Sequence, residues 1–348
     1  RQLSAVVVEE PNITVLEGAR VAALWTTREA GRCVGVVCED GRVIGARATV
    51  LATGGAAALW SRTTNPPGSL GIGLLLAHAA GAALADLEFV QFHPTAIIGV
   101  PGREGFLVTE AIRGEGALLL DAGGRRFVEE LAPRDEVARA IVSTLRSQGT
   151  AHVHLDMRHI DPALFPNVVS ALRDHGLDPV TELLPVAPAC HYVMGGIVAD
   201  LDAGTTVPGL YAVGESACTG LHGANRLASN SLSECFVMGR RAGLAGLDEP
   251  VLPGRLPPTP APRPIVAPSR RTRTALWELA GVERDGEGLA RLEADPHPLA
   301  RMVAACAGHR EESRGAHLRA DFPALDPALD GMHTVIRGDD PPRFERWR

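Results

Sequence analysis

The residues best suited to chemistry lie in one stretch, Gly214 to Glu234, GESACTGLHGANRLASNSLSE. It follows a short apolar strand, Leu210 to Val213, and passes through a Gly- and Asn-rich loop carrying His222, Asn225 and Arg226. Asn230 and Ser231 then open an apolar, helix-like run from Leu232 to Gly239. A strand, a polar glycine loop and a helix start make a site for an anion or a ring edge, because unpaired N–H groups and the positive end of the helix dipole converge there. The Arg226 guanidinium can fork onto a carboxylate. Three more residues stand in non-periodic segments bounded by Pro or Gly: His93 in QFHPT, Arg134 in LAPRD and His191 in PACHYVMGG. Singly, each has an ordinary structural role as a turn histidine, a helix-start arginine or a strand-end histidine. Together, two His and two Arg form a set that would grip a small dicarboxylate, with arginine bidentate and imidazole adding a donor. In TEAIRGEG, Glu110 and Arg113 share a face at i, i+3 if the segment is helical, and spacing alone makes them a solvated ion pair.

These residues need elements to position them. Residues 5–8, 20–24, 33–38 and 43–51 read as short strands, and the last ends in ATGG. Gly54 and Gly55 suit the C-terminal end of a buried strand that meets a ligand through bare backbone. Helices are expected over Ile72–Ala83, Asp135–Gln148, Pro162–His175 and from Ser231, with two more over roughly 270–294 and 297–314. Residues 248–268 are proline-dense and form an extended linker. The expected fold class is α/β plus α+β. The pattern implies a discontinuous first domain over 1–90 and 191–247, an α+β capping domain inserted at 91–190, and a C-terminal helical domain at 269–348.

The 348 residues carry a formal net charge of -7 without a basic cluster, which argues against nucleic acid or an anionic membrane as a main partner. Every cation is Arg, so Schiff-base and P-loop lysine chemistry is excluded. The six cysteines show no CxxC pair, and the sequence carries no HExxH, no carboxylate-rich metal loop and no GxSxG elbow; no metal is expected. Free thiols suit a reducing cytoplasm, and apolar runs are broken before membrane-spanning length.

The strings QFHPTAI, TEAIRGEG, LAPRDEVARAI, HYVMGG, GLYAVGE, GLHGANRLASNSLSE and ESRGAHLRADFP occur in this order. The chain thereby closely resembles the flavoprotein family of succinate dehydrogenase, fumarate reductase and L-aspartate oxidase. LAPRD, QFHPTA and NRLASNS are most similar to the L-aspartate oxidase branch. That resemblance implies that the discontinuous first domain is a partial FAD-binding Rossmann-like domain with noncovalent FAD, and that the reaction is oxidation of L-aspartate to iminoaspartate, with O2 or fumarate as acceptor. This is the first step toward quinolinate and NAD, with quinolinate synthase as a functional partner. The alternatives are a succinate/fumarate oxidoreductase and an inactive fragment. The resemblance also implies substrate carboxylate binding by His93 and Thr109 on one side and by His191 and Arg226 on the other. It implies an acid/base role for Arg134, a proton relay through Glu110 and Arg113, and flavin contacts from Glu215, Ser231 and Leu232. Two departures are expected to weaken FAD binding: the family's GxGxxG segment is not found, and Ile72 stands where the family has an FAD-contacting Asp.

Overall fold

The computed structural model describes residues 2–27, 31–252, 254–262 and 266–347. The chain opens with α1 (Gln2–Glu9) and an antiparallel meander of β1 (Val21–Thr26), β2 (Cys33–Cys38) and β3 (Val43–Gly45). Next come β4 (Thr49–Leu51), α2 (Ile72–Ala79), β5 (Leu84–Ala85), β6 (Val90–Ile97), α3 (Glu110–Gly114), β7 (Leu118–Leu120) and α4 (Arg134–Gln148). These are followed by β8 (Val153–Asp156), α5 (Pro166–Arg173), β9 (Leu184–Val193), β10 (Gly196–Val198), β11 (Leu210–Ala212), β12 (Ala217–Cys218) and α6 (Asn230–Leu247). The chain ends with α7 (Arg270–Leu279), α8 (Gly286–Leu292), α9 (Pro298–His309), β13 (Met332–Ile336) and β14 (Arg343–Arg346).

Two apolar cores organise these elements. The larger joins Leu51, Trp60, Leu84 and Ile197 to the α7–α9 helices through Leu276, Leu289 and Leu299. The other draws its buried members only from residues between Ile97 and Val186. A four-stranded antiparallel sheet, β6-β9-β8-β7, runs between the two. Its strands β6 and β9 carry the chain across the positions 90/91 and 190/191 expected as domain boundaries, so those crossings are paired strands and not loops. All eight residues of β6 are buried, which obliges its polar side chains Gln91, His93 and Thr95 to find partners inside.

Three expectations are corrected. Residues 5–8 lie in α1 and not in a strand. No described strand pairs with this segment, and a lone strand would leave its backbone groups unpaired, whereas a helix satisfies them internally despite the Val run. The C-terminal region is not purely helical: β13 pairs antiparallel with β5 and β14, Val335 facing Ala85 in register, so the tail completes a five-stranded sheet with the spatial order β12-β10-β5-β13-β14. The helix expected over 270–294 is interrupted between α7 and α8, where Gly281 packs against the Trp277 carbonyl and Asp285 caps the new helix. Residues 248–268 carry no helix or strand among those described.

Candidate dicarboxylate and flavin site

The strand alternation of β6 sends Gln91 toward the base of the Arg226 loop, and Gln91 pairs in register with Tyr192 of β9. Its Nε2 donates to the Arg226 carbonyl at 2.7 Å and to Asn225 Oδ1 at 3.0 Å. Its Oε1 accepts from Arg134 Nη1 at 2.9 Å and from Arg226 Nη1 at 3.3 Å. One amide oxygen therefore holds two guanidiniums that are 92 residues apart in sequence, counting from Arg134 to Arg226. Asn225 Nδ2 donates to Asp135 Oδ1 at 2.8 Å and ties the loop to the start of α4.

Arg134 is the first residue of α4, following Pro133, whose fixed φ precedes the helix without needing an N–H. Its Nε donates to Glu110 Oε2 at 2.7 Å, and Arg113 Nη2 lies 3.8 Å from the same oxygen. Glu110 and Arg113 sit at i, i+3 on α3, but Arg113 is buried and the pair is not a solvated surface pair. Arg113 leaves Nε and Nη2 without partners while Nη1 donates to the Glu130 carbonyl. Thr109 caps α3, its hydroxyl accepting from Ala111 N at 3.4 Å. That cap is the contact the structure gives Thr109.

The two histidines meet edge to face, ring centroids 5.3 Å apart. His93 Nδ1 lies 3.3 Å from Thr95 N, and His191 Nδ1 lies 2.7 Å from the Thr64 hydroxyl. Burial holds His93 well below the usual imidazole range, reinforced by His191, Arg134, Arg113 and Arg226. Burial, then Arg134 and Arg226, push His191 down to about 4. Both rings are therefore neutral donors at pH 7, and the positive charge of the site resides on the arginines. Arg226 stacks over Tyr192 at 4.5 Å, donates from Nη2 to Ser231 Oγ at 2.7 Å, and keeps a buried Nε without a partner. Burial lowers the pKa values of Arg226 and Arg113, and neighbouring Arg134 adds to both shifts.

Arg134, Arg226, Glu110 and Arg113 are thus joined through Gln91 and Glu110, and the paired His93 and His191 lie close enough for the charges of Arg134 and Arg226 to lower both imidazoles. Gln91 and Asp135 were not singled out from the sequence. The signal for Gln91 was available, because it lies two residues before His93 and shares its strand face. The signal for Asp135 was not, since its partner Asn225 is 90 residues away.

On the other side of Ser231, α6 begins at Asn230 after Ser229 in a left-handed conformation, and no side chain caps it. Gly54, with φ +74, has open space where a side chain would stand. At Gly55 a Cβ would collide with the Glu215 carboxyl, so this backbone and that side chain require each other's shape. Glu215 Oε1 accepts from Val193 N at 3.1 Å, and burial pushes its pKa up to about 7. Leu232, Phe236 and Val237 on α6 and Ile72 at the start of α2 are exposed apolar side chains.

The family described as FAD binding domain matches residues 2–232, and the fumarate reductase flavoprotein C-terminal family matches residues 294–346. The L-aspartate oxidase of Caulobacter vibrioides is 44% identical over 96% of this chain and 70% of its own length. That of Streptomyces coelicolor is 41% identical over 95% and 68%. The chain belongs to the L-aspartate oxidase family of FAD-binding flavoproteins. Among solved structures, E. coli quinol fumarate reductase FrdA superposes with a TM-score of 0.82 at 28% identity, covering 99% of this chain and 73% of that one. The Mycobacterium smegmatis Sdh1 complex in its apo form gives 0.80 at 30% identity, covering 100% and 70%.

The residues expected to border a flavin have a chemistry that fits one. The bare Gly54–Gly55 backbone, an uncapped helix start and an apolar rim at Leu232 and Ile72 suit a planar ring with polar edges. Ile72 offers no polar group at this rim. Among the described residues no cluster of potential metal ligands occurs, and no helix is long and apolar enough to cross a membrane.

Proposed function

We propose that the protein oxidises L-aspartate to iminoaspartate with FAD, the first step toward quinolinate and NAD, with O2 or fumarate as acceptor. The observation that carries this reading is the junction at Gln91, where Arg134 and Arg226 share one neutral acceptor. Of the three arginines here, Arg113 and Arg134 meet a single carboxylate, Glu110, and Arg226 meets none among the described residues. A substrate with two carboxylates supplies the missing negative charge. Arg226 offers its fork to one carboxylate, beside His191, and His93 faces the other as a neutral donor.

The flavin would supply the redox step by accepting the hydride from the substrate Cα. The protein holds that carbon in place and keeps the charges fixed, so little reorganisation accompanies reaction. A guanidinium is a poor base. Aspartate binding with a neutral amine removes the need for one, because hydride loss leaves a protonated imine. With fumarate as acceptor, the hydride would pass from the reduced flavin to one fumarate carbon while Arg134 gives a proton to the other, and Glu110, in contact with Arg134 Nε and with its own side chain 40% exposed, would return a proton from solvent. The apolar core drawn from residues 97–186 supports a capping unit over 91–190 that brings Arg134, Glu110 and His93 to the site. Glu215, Asn230, Ser231, Leu232, Gly54 and Gly55 border the flavin, which binds without a covalent link. A reducing cytoplasm and cooperation with quinolinate synthase fit this role.

Anaerobic mixing of the FAD-loaded protein with L-aspartate should bleach the flavin, and succinate should do so far more slowly. Bleaching by succinate but not by aspartate would overturn the assignment in favour of a succinate/fumarate oxidoreductase.

A further inference from the structure

The ESRGAHLRADFP string has no part in the site as described, yet its turn lies directly behind Arg226. Ala316 N–H donates to the Ala224 carbonyl at 2.9 Å, two residues before Arg226. Gly315 has φ +53, and a Cβ there would come within 2.6 Å of the Ala224 oxygen and 2.9 Å of its carbonyl carbon. Glycine is therefore required twice, for its left-handed conformation and for close approach to backbone that cannot rotate away. Ala316 also packs with Phe89, Tyr192 and Met194, and Ala224 lies against that cluster. Tyr192 carries the Arg226 guanidinium on its ring, and Met194 Sδ accepts the Arg226 N–H at 3.1 Å.

The turn is itself firmly held. Arg314 and His317 exchange backbone hydrogen bonds of 2.8 and 2.9 Å across it. Arg314 is gripped by Glu312, which also binds the buried Arg310. On its other side Gly315 and Ala316 line a cavity of about 20 Å³ together with Gln91 and Asp135. One turn from the C-terminal region thus backs both the Arg226 loop and the Gln91–Asp135 junction.

We propose that the Gly315–Ala316 turn is a positioning element for Arg226, setting the depth at which its guanidinium meets a substrate carboxylate. The inference rests on the dicarboxylate reading of Arg226. A shift of a few tenths of an ångström in Ala224 is passed to Arg226 through backbone and stacking, and it weakens carboxylate binding more than it slows the chemical step.

The test compares Gly315→Ala with Gly338→Ala in the FAD-loaded protein. Gly338 has a similar φ of +56, and a Cβ there would meet no described atom within 4 Å, so its variant carries the strain without the collision. Fumarate, which the oxidised flavin cannot oxidise further, serves as the binding probe by calorimetry. Gly315→Ala should raise the fumarate Kd and the aspartate KM by about tenfold with kcat within about twofold, while Gly338→Ala leaves both unchanged. Equal effects of the two variants, or an unchanged fumarate Kd in Gly315→Ala, would overturn the proposal. Should Gly315→Ala not fold, hydrogen exchange of the unmodified protein decides: saturating fumarate should slow exchange of the Ala316 amide, and an unaltered rate sinks the idea. Arg226→Lys separates the two layers of inference. If it weakens fumarate binding and Gly315→Ala does not, only the positioning role fails. If Arg226→Lys also leaves fumarate binding intact, or fumarate does not bind the unmodified protein, the dicarboxylate reading fails with it.

Discussion

Two buried arginine clusters in this molecule contain the same residue types and do opposite things. Behind β13, Arg310 contacts the carboxylates of Glu88 and Glu312, Arg314 contacts Glu312 and Asp330, and Arg319 contacts Asp321. Each of those guanidiniums meets at least one carboxylate, and the pKa of Arg310 is raised by Glu88 and Glu312 despite its burial. At the Gln91 junction, three arginines share one carboxylate and one amide, and the pKa values of Arg113 and Arg226 are lowered. Charge balance, and not burial or residue type, separates a structural network from a binding site. A neutralised cluster has no use for a ligand anion, whereas one with surplus cations does.

The comparison breaks most visibly at Arg310. Arg310→Met should leave Glu88 and Glu312 buried without their cation and cost about 3–5 kcal/mol of stability, read as a fall in the urea midpoint. A midpoint within error of the parent protein would show that the network is not a structural unit.

At the other cluster the sign of the effect changes. Arg226→Lys keeps the charge but loses the fork, and it should weaken dicarboxylate binding roughly 10- to 100-fold while the urea midpoint stays put. Fumarate titration by calorimetry checks this, and unchanged affinity would remove Arg226 from the site.

The smallest effect sharpens the electrostatic contrast. His191 titrates near 6.5 when unfolded and near 4 in the fold, so the unfolded chain takes up the proton first as pH falls. The stability contributed by its neutral ring is fully present above pH 6.5 and is lost progressively as pH drops toward 4. Unfolding free energies at pH 7 and pH 5 should differ by about 1–2 kcal/mol less in His191→Gln than in the parent. Identical pH dependence in the two proteins would mean that burial and the neighbouring arginines do not hold His191 neutral.

Much of the site could be read from the sequence because its members interrupt periodic segments. His93 beside Pro94, Arg134 after Pro133 and Arg226 in a glycine loop stand out against the alternation and helical spacing around them. Gln91 did not stand out, because an amide in a strand resembles any polar residue until its four hydrogen bonds, to Asn225, Arg134 and Arg226, are known. The run at residues 5–8 misled because β-propensity reflects packing against neighbours, and α1 has no described strand beside it.

The sequence by itself determined the local elements and the chemical inventory: the helix start at Asn230, the bare Gly54–Gly55 turn, the arginine-only cations and the two histidines and two arginines in non-periodic segments. Which arginines are neutralised and which remain open was decided only by tertiary structure. The partners that settle it lie far apart along the chain, Arg310 with Glu88 and Arg226 with Gln91, separated by 222 and 135 residues. Coulomb energy depends on distance through space and on the surrounding dielectric, and both are fixed only when the β6–β9 strands, the α4 start and the C-terminal turn pack together.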